Sequence, residues 1–391
     1  MFVTPLFKLM SDKQASDMFF TAGAPIHIKI NGVVMPINSQ ILNPEQVKSI
    51  CYELMNEAQI AEFEAKHEMN FARRGAGDAQ GALGNFRINI FRQRGTVSMV
   101  IRFVKPDVPA FDSLGLPGIL KEVIMEKLGL ILVVGSTGSG KSTTMASMID
   151  YRNNHRSGHI LTVEDPIEFA FRHKKSIVNQ REVRVDTDSY QEALISAMRE
   201  APDLIMIGEI RDQPTLVSAL LFAQTGHLCM STLHANNSYN ALNRIINFFP
   251  RDQRDALLSD ISVALRAVIS QRLIRSADGQ RIPAVEVLLN TKHIQELIKA
   301  GDMSQIKDAM EQSLAPGSQT FEQALFALIK AGKVSIDEAM ANSDSPTNLH
   351  WLINNAPKAV GVVQPAVPAA GTKPPAPDDI TSIKLNLDAL G

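Results

Sequence analysis

Eight residues from Gly135 to Ser142 read Gly-Ser-Thr-Gly-Ser-Gly-Lys-Ser. The spacing is that of the phosphate-binding loop G-x-x-x-x-G-K-[ST], with each fixed position filled. Its glycines let backbone N–H groups close around a phosphate chain. Lys141 can reach the β- and γ-phosphates, and the Ser142 hydroxyl suits Mg²⁺. Gly135, Ser136, Thr137, Gly138, Ser139, Gly140, Lys141, Ser142 and Thr143 are therefore candidate contacts to a nucleoside triphosphate. The flanks agree. The apolar run Leu130–Val134 precedes the loop, and 143–150 has helical composition. Strand, glycine-rich turn and helix N-terminus together make an anion site.

Three more apolar runs end in polar residues that can do chemistry. His159–Asp165 closes on Glu164 and Asp165 and continues to Glu168. Asp203–Glu209 closes on Gly208 and Glu209, with Arg211 and Asp212 behind. His227–His234 has a histidine at each end. Short apolar runs punctuated this way suit strands buried on both faces of a parallel sheet. Helix-compatible segments at 189–200 and 213–225 separate them, which predicts an α/β domain. Ligands in such sheets sit beyond the carboxyl ends of the strands, where Lys141, Glu168, Glu209 and His234 would meet. The spacing of seven between His227 and His234 is no recognised zinc pattern.

These candidates need a scaffold, and the composition allows one. The chain has 391 residues, 45% hydrophobic and 20% charged. That suits a soluble globular protein of two or more domains. A net charge of −2 gives no global reason to expect nucleic acid or another polyanion as partner. Cys51 and Cys229 are too few for a disulfide framework or a four-cysteine zinc site. No signal peptide is recognisable, and no apolar run approaches the ~20 residues a membrane helix needs. A cytoplasmic protein is expected.

Residues 1–110 read as a small α+β domain. Ile26–Ile30, Asn31-Gly32 and Val33–Met35 give strand, turn and strand. Helices with a break are expected over 44–66, and strands at 86–91 and 97–103. Prolines at 106 and 109 suit a linker over 105–112. The nucleotide domain with its trailing helices (293–300, 304–311, 321–331) spans 113–354. Residues 355–391 carry six prolines among alanine and valine up to Asp379, a composition of disordered tails. The final stretch, 380–390, alternates polar and apolar residues, as a docking segment or a frayed end would.

Taken as a set, the motifs resemble the secretion-type ATPases of type II secretion and type IV pilus systems. In that family a Walker A loop (Gly135–Ser142) precedes an Asp box (162–169), a Walker B variant (204–209) and a His box (225–234). All four stand here in that order, and the resemblance covers roughly residues 10–355. The short N-terminal region and the missing four-cysteine zinc site place the chain in the retraction branch of PilT and PilU type. The stretch 293–300 departs from the PilT-type helix motif. Together with the segments 178–183 and 246–250 and the Pro-rich tail, it points to the PilU type.

The resemblance implies a PAS-like domain before a RecA-like P-loop domain, and an ATP-hydrolysing homo-hexamer that drives pilus retraction. ATP and Mg²⁺ are the expected cofactors, bound between the two domains, with a hinge at Lys105–Pro109 in the linker. Glu168 is expected as the general base, with Glu164 as the alternative. Glu209 and Ser142 would meet Mg²⁺, and His234 would sense the γ-phosphate. Arg87, Arg94 and Arg102 are candidates to reach a neighbour's nucleotide, their alternative being a solvated sheet face. The partners implied are a PilT-like ATPase and an inner-membrane pilus platform protein, with the motor peripheral to the inner membrane. Two rivals remain open at this point. One is a RecA-like nucleic-acid translocase, and the other a non-catalytic ATP-binding adaptor.

Overall fold

The computed structural model describes residues 2–30, 32–74, 84–104, 108–313 and 315–355. The chain divides into two compact units. One holds Met1–Arg73 with Phe86–Phe103, the other Val104–Asn354. Asn31 of the expected hairpin turn, 105–107 of the expected hinge and the tail from 356 lie outside the described residues.

The N-terminal unit contains α1 (Thr4–Asp12), β1 (Asp17–Phe20), β2 (His27–Ile30) and β3 (Val33–Pro36). It continues with α2 (Pro44–Leu54), α3 (Glu57–Lys66), β4 (Glu68–Arg74), β5 (Asn85–Gln93) and β6 (Thr96–Val104). The break expected inside 44–66 is real and has a chemical cause. Asn43 and Asn56 each cap a helix, and Gln46 and Gln59 complete the two capping boxes. Val47, Ile50, Cys51 and Leu54 then bury one stripe of α2. The six strands run in the order β3-β2-β1-β6-β5-β4. Phe86, Ile88 and Ile90 of β5 are buried, while Arg87 and Asn89 between them face the other side.

The second unit starts with α4 (Ile119–Ile124), β7 (Gly129–Val134), α5 (Lys141–His155), β8 (Gly158–Glu164) and β9 (Ser176–Glu182). It goes on through α6 (Tyr190–Ala197), β10 (Leu204–Ile207), α7 (Gln213–Gln224), β11 (Leu228–Leu233), α8 (Ser238–Asn247) and α9 (Arg254–Ala264). The hairpin β12 (Leu265–Arg275) and β13 (Arg281–Leu289) comes next. The helices α10 (Lys292–Ala300), α11 (Ile306–Glu311), α12 (Phe321–Lys330), α13 (Ile336–Ala341) and α14 (Pro346–Asn355) end it. The sheet order is β13-β12-β7-β11-β10-β8-β9. Each adjacent pair is parallel except β12–β13. The four apolar runs read from the sequence are its four central strands, β7, β11, β10 and β8.

Both faces of that sheet are covered, so the central strands alternate between two cores rather than between core and water. Leu130, Leu132 and Val134 of β7 pack on one face with α7 and α9, whereas Ile131 and Val133 pack on the other with α5. Burying both faces fixes the strand ends, and with them the loops that carry the site.

The C-terminal helices are tied to the sheet by Arg272 on β12. Its guanidinium donates to the carbonyls of Asn342 at 2.6 Å and Asn236 at 3.2 Å. It also pairs with Asp344 and lies over the Phe321 ring, 4.1 Å from the centroid. Arg272→Ala is expected to destabilise this unit by about 2 kcal/mol, since several charge-assisted bonds go at once. The single tryptophan, Trp351 on α14, reports directly on these helices in a urea titration. An unshifted midpoint would show that Arg272 does not hold them.

Candidate active site

The phosphate-binding loop follows β7 and ends in α5. Gly135 needs its lack of a side chain, because a Cβ there would meet Ser139 Oγ at 2.4 Å and the Gln271 carbonyl at 2.5 Å. Gly140 has φ +88°, the left-handed region, and a Cβ on it would stand 2.7 Å from Gln271 Nε2. No side chain caps the start of α5, and its first turn carries no acidic residue. The N–H groups of that turn are left for an external anion. Ser139 Oγ is buried without a hydrogen-bond partner among the described residues. The nine-tenths-buried Lys141 folds its ammonium back on the carbonyls of Gly135 and Ser136, both at 2.9 Å.

Lys141 and Ser142 share a cleft of about 250 Å³ with Glu164, Glu168, Glu209 and His234. These are the loop and the ends of β8, β10 and β11, as expected of ligand sites in parallel sheets. Glu209 Oε2 accepts from Arg211 Nε at 2.7 Å, and its Oε1 lies 3.2 Å from His234 Nε2. Thr232 Oγ1 donates to the Gly208 carbonyl at 2.7 Å, which holds the ends of β10 and β11 together. Glu168 is exposed, and Glu164 lies buried. His227 is at the opposite end of β11, edge-on to the Phe222 ring at 5.6 Å, and packs rather than reacts.

A second cleft of about 600 Å³ begins at Gly140, Thr143 and Thr144 and runs along the β12–β13 hairpin. Gln271, Arg211 and Tyr190 line these two clefts, and motif reading did not single out any of them as site residues. Arg211 stood next to the Walker B acid and could have been found there. Gln271 lies 130 residues downstream of the loop on a strand that no motif marks.

The family model of type II/IV secretion system proteins matches residues 2–281. The chain belongs to this family. It is 45% identical to the type IV pilus ATPase PilU of Pseudomonas aeruginosa over 349 residues, covering 89% of this chain and 90% of that protein. It is 39% identical to the PilT retraction ATPase of the same organism, covering 88% and 99%. Among solved structures, the pilus retraction motor PilT with bound ADP aligns at a TM-score of 0.81 and 40% identity, covering 89% and 99%. DotB of Legionella pneumophila aligns at 0.74 with 23% identity, which is a likeness of fold.

Within this secretion ATPase, the three arginines expected to act on a neighbour's nucleotide belong to the N-terminal unit and differ locally. Arg87 is half-buried on β5. Arg94 is exposed in the β5–β6 turn with φ +47°. Arg102 sits opposite Asp17 in the β1–β6 ladder and donates Nε to it at 2.9 Å.

The two Asp-box glutamates also differ. Glu164 Oε1 accepts from Thr162 Oγ1 at 2.7 Å and Gln180 Nε2 at 3.0 Å. Burial outweighs these bonds and pushes its carboxyl from 4.5 up to about 7. Burial also lowers Lys141, against the pull of Glu209 and Glu168. A carboxyl raised on folding binds its proton more tightly in the folded state. Its stabilising contribution is complete below the ordinary value of 4.5 and is lost as pH climbs towards about 7. Between about pH 5 and about pH 7.5, wild type should lose about 2 kcal/mol of unfolding free energy relative to Glu164→Gln. Parallel pH profiles of the two proteins would refute the raised carboxyl.

Proposed function

We propose that this chain is the ATPase of a type IV pilus retraction motor, of PilU type, working as a homo-hexamer. The carrying observation is the convergence of Lys141, Ser142, Glu168, Glu209 and His234 on one cleft at the loop. The higher identity to PilU than to PilT supports the subtype. The β- and γ-phosphates lie in the loop, where the α5 N–H groups and Lys141 meet their charge. Lys141 leaves its own loop carbonyls to do so. The nucleoside extends into the second cleft past Thr143.

The donor set fits Mg²⁺. One hydroxyl, Ser142, and one carboxylate, Glu209, are what a hard cation takes when phosphate oxygens and water fill its other positions. Held by Ser142 and Glu209, Mg²⁺ would supply positive charge against that developing on the phosphates. Glu209 must then exchange Arg211 for this role, which the exposed Arg211 side chain permits. Glu168, facing solvent at the cleft, orients and deprotonates the attacking water. His234, beside Glu209, senses the γ-phosphate. A second assignment has its own support: Glu164, buried at the cleft and raised towards neutrality, has the property of a tuned general base. An arginine from a neighbouring copy's N-terminal unit, Arg87, Arg94 or Arg102, stabilises transition-state charge. The motor works at the cytoplasmic face of the inner membrane, on a pilus platform protein and alongside a PilT-like ATPase. No helix among the described residues is long and apolar enough to cross a membrane.

Lys141→Ala should abolish hydrolysis while leaving the fold intact, because the ammonium stabilises phosphate rather than core. Wild-type turnover in that variant would end the assignment. Glu168→Gln should cut kcat by ~10²-fold or more with nucleotide affinity kept. A larger loss in Glu164→Gln would move the base to Glu164.

Specific ATPase activity should rise with protein concentration, because each site is completed by a neighbour. Arg87→Ala and Arg94→Ala should lower kcat more than affinity. Concentration-independent turnover by a particle whose measured mass stays monomeric would reject the hexamer.

A further inference from the structure

We propose that Gln271 is the residue by which the site reads a nucleoside, and not merely a chain of phosphates. The proposal rests on the reading of the loop as a nucleotide site. Gln271 stands in the middle of β12, one residue past the last position paired with the phosphate-binding strand, and is 3% exposed. Its Oε1 accepts from Thr144 Oγ1 at 2.6 Å. This arrangement turns the Nε2 end away from Thr144. The Nε2 end, with two N–H donors, has no hydrogen-bond partner among the described residues, yet Gln271 lines the second cleft. An amide on a buried side chain whose donors open only onto the cleft is placed to meet an acceptor there.

The surroundings fit a nucleoside. The amide lies against Gly140, where any Cβ would stand 2.7 Å from Nε2, so the loop glycine leaves room for it. The cleft continues from Thr143 and Thr144, the residues just past the phosphate-binding lysine. It is walled by Leu114, Leu116, Leu273 and Ile282. Phosphate at Lys141 therefore places the attached sugar and base beside an apolar wall with one buried amide donor. We assign Gln271 Nε2 to an acceptor on the ribose or base. Thr144 is the positioning residue that aims it.

The alternative role is structural: Gln271 would only prop the loop. The two roles separate when the ligand lacks a nucleoside. The test uses full-length protein and competition binding of ATP, ADP and inorganic tripolyphosphate to wild type, Gln271→Leu and Thr144→Val. Gln271→Leu is expected to weaken ATP and ADP about tenfold, the loss of one or two hydrogen bonds to a buried donor, while tripolyphosphate changes less than about twofold. Thr144→Val should show a smaller loss with the same selectivity. Equal losses for all three ligands in Gln271→Leu would make Gln271 a loop prop and overturn the proposal. Unchanged ATP affinity would overturn it as well. Thermal melting of the ligand-free variants identifies loss through misfolding, and in that event Gln271→Met, which keeps the length and neutrality but removes the donors, must reproduce the selective loss. Wild type that binds neither ATP nor tripolyphosphate would instead strike down the nucleotide reading itself.

Discussion

The constraint on which the rest depends is the position of the Lys141 ammonium. A cation at the first turn of a helix opposes the helix dipole, which favours anions there. Burial penalises it further. In the ligand-free chain its partners are two backbone carbonyls of its own loop, with Glu209 and Glu168 acting at longer range. The first-turn N–H groups beside it have no side-chain cap either. A buried cation and uncapped N–H donors thus stand side by side, a pairing that suits a compact multiply charged anion.

Keeping such an arrangement requires a scaffold that does not relax. The doubly covered parallel sheet supplies it. β7 is buried along its whole length between β11 and β12, and its two sets of side chains lock into separate cores. The loop is also held to β12 on both sides, by the pairing of Val134 with Ser270 before it and by Thr144 Oγ1 donating to Gln271 Oε1 after it. The placement of carboxylates at the ends of β8 and β10 is then a consequence of the strand order. With β10 between β11 and β8, the acids Glu164 and Glu209 project on the same side as the loop.

Much of this was legible in the sequence, and for a physical reason. Central strands of a parallel sheet are continuous apolar runs, so β7, β8, β10 and β11 stood out, and so did the polar residues that end them. The helix break at Met55 was legible because Asn56 is a strong capping residue and starts a new helix, α3. The outer strands β9, β12 and β13 of the same sheet were not. β9 alternates exposed Ile177 with buried Val178 amid polar residues, and β12 mixes arginines, serine and glutamine with its apolar positions. Composition does not separate such stretches from loops. Gln271 was invisible for the same reason. Its importance comes from a neighbour 127 residues away, Thr144, and only the closed sheet brings the two together.

The ligand-free charge pattern also bears on how the site works. Glu209 is held by Arg211 and His234, Lys141 by its own loop, and Glu164 is drawn towards its neutral form. Each of these groups has a partner within the chain. Arg211, His234 and Lys141 stand on three different loops. Those loops end β10, end β11 and begin α5. The residues after His234 lead straight to Asn236, whose carbonyl accepts from Arg272, the residue that anchors the C-terminal helices. His234 thus stands two residues from a carbonyl that holds the anchor of α12–α14. Covalent continuity and one guanidinium join the chemistry to the part of the unit farthest from it in sequence.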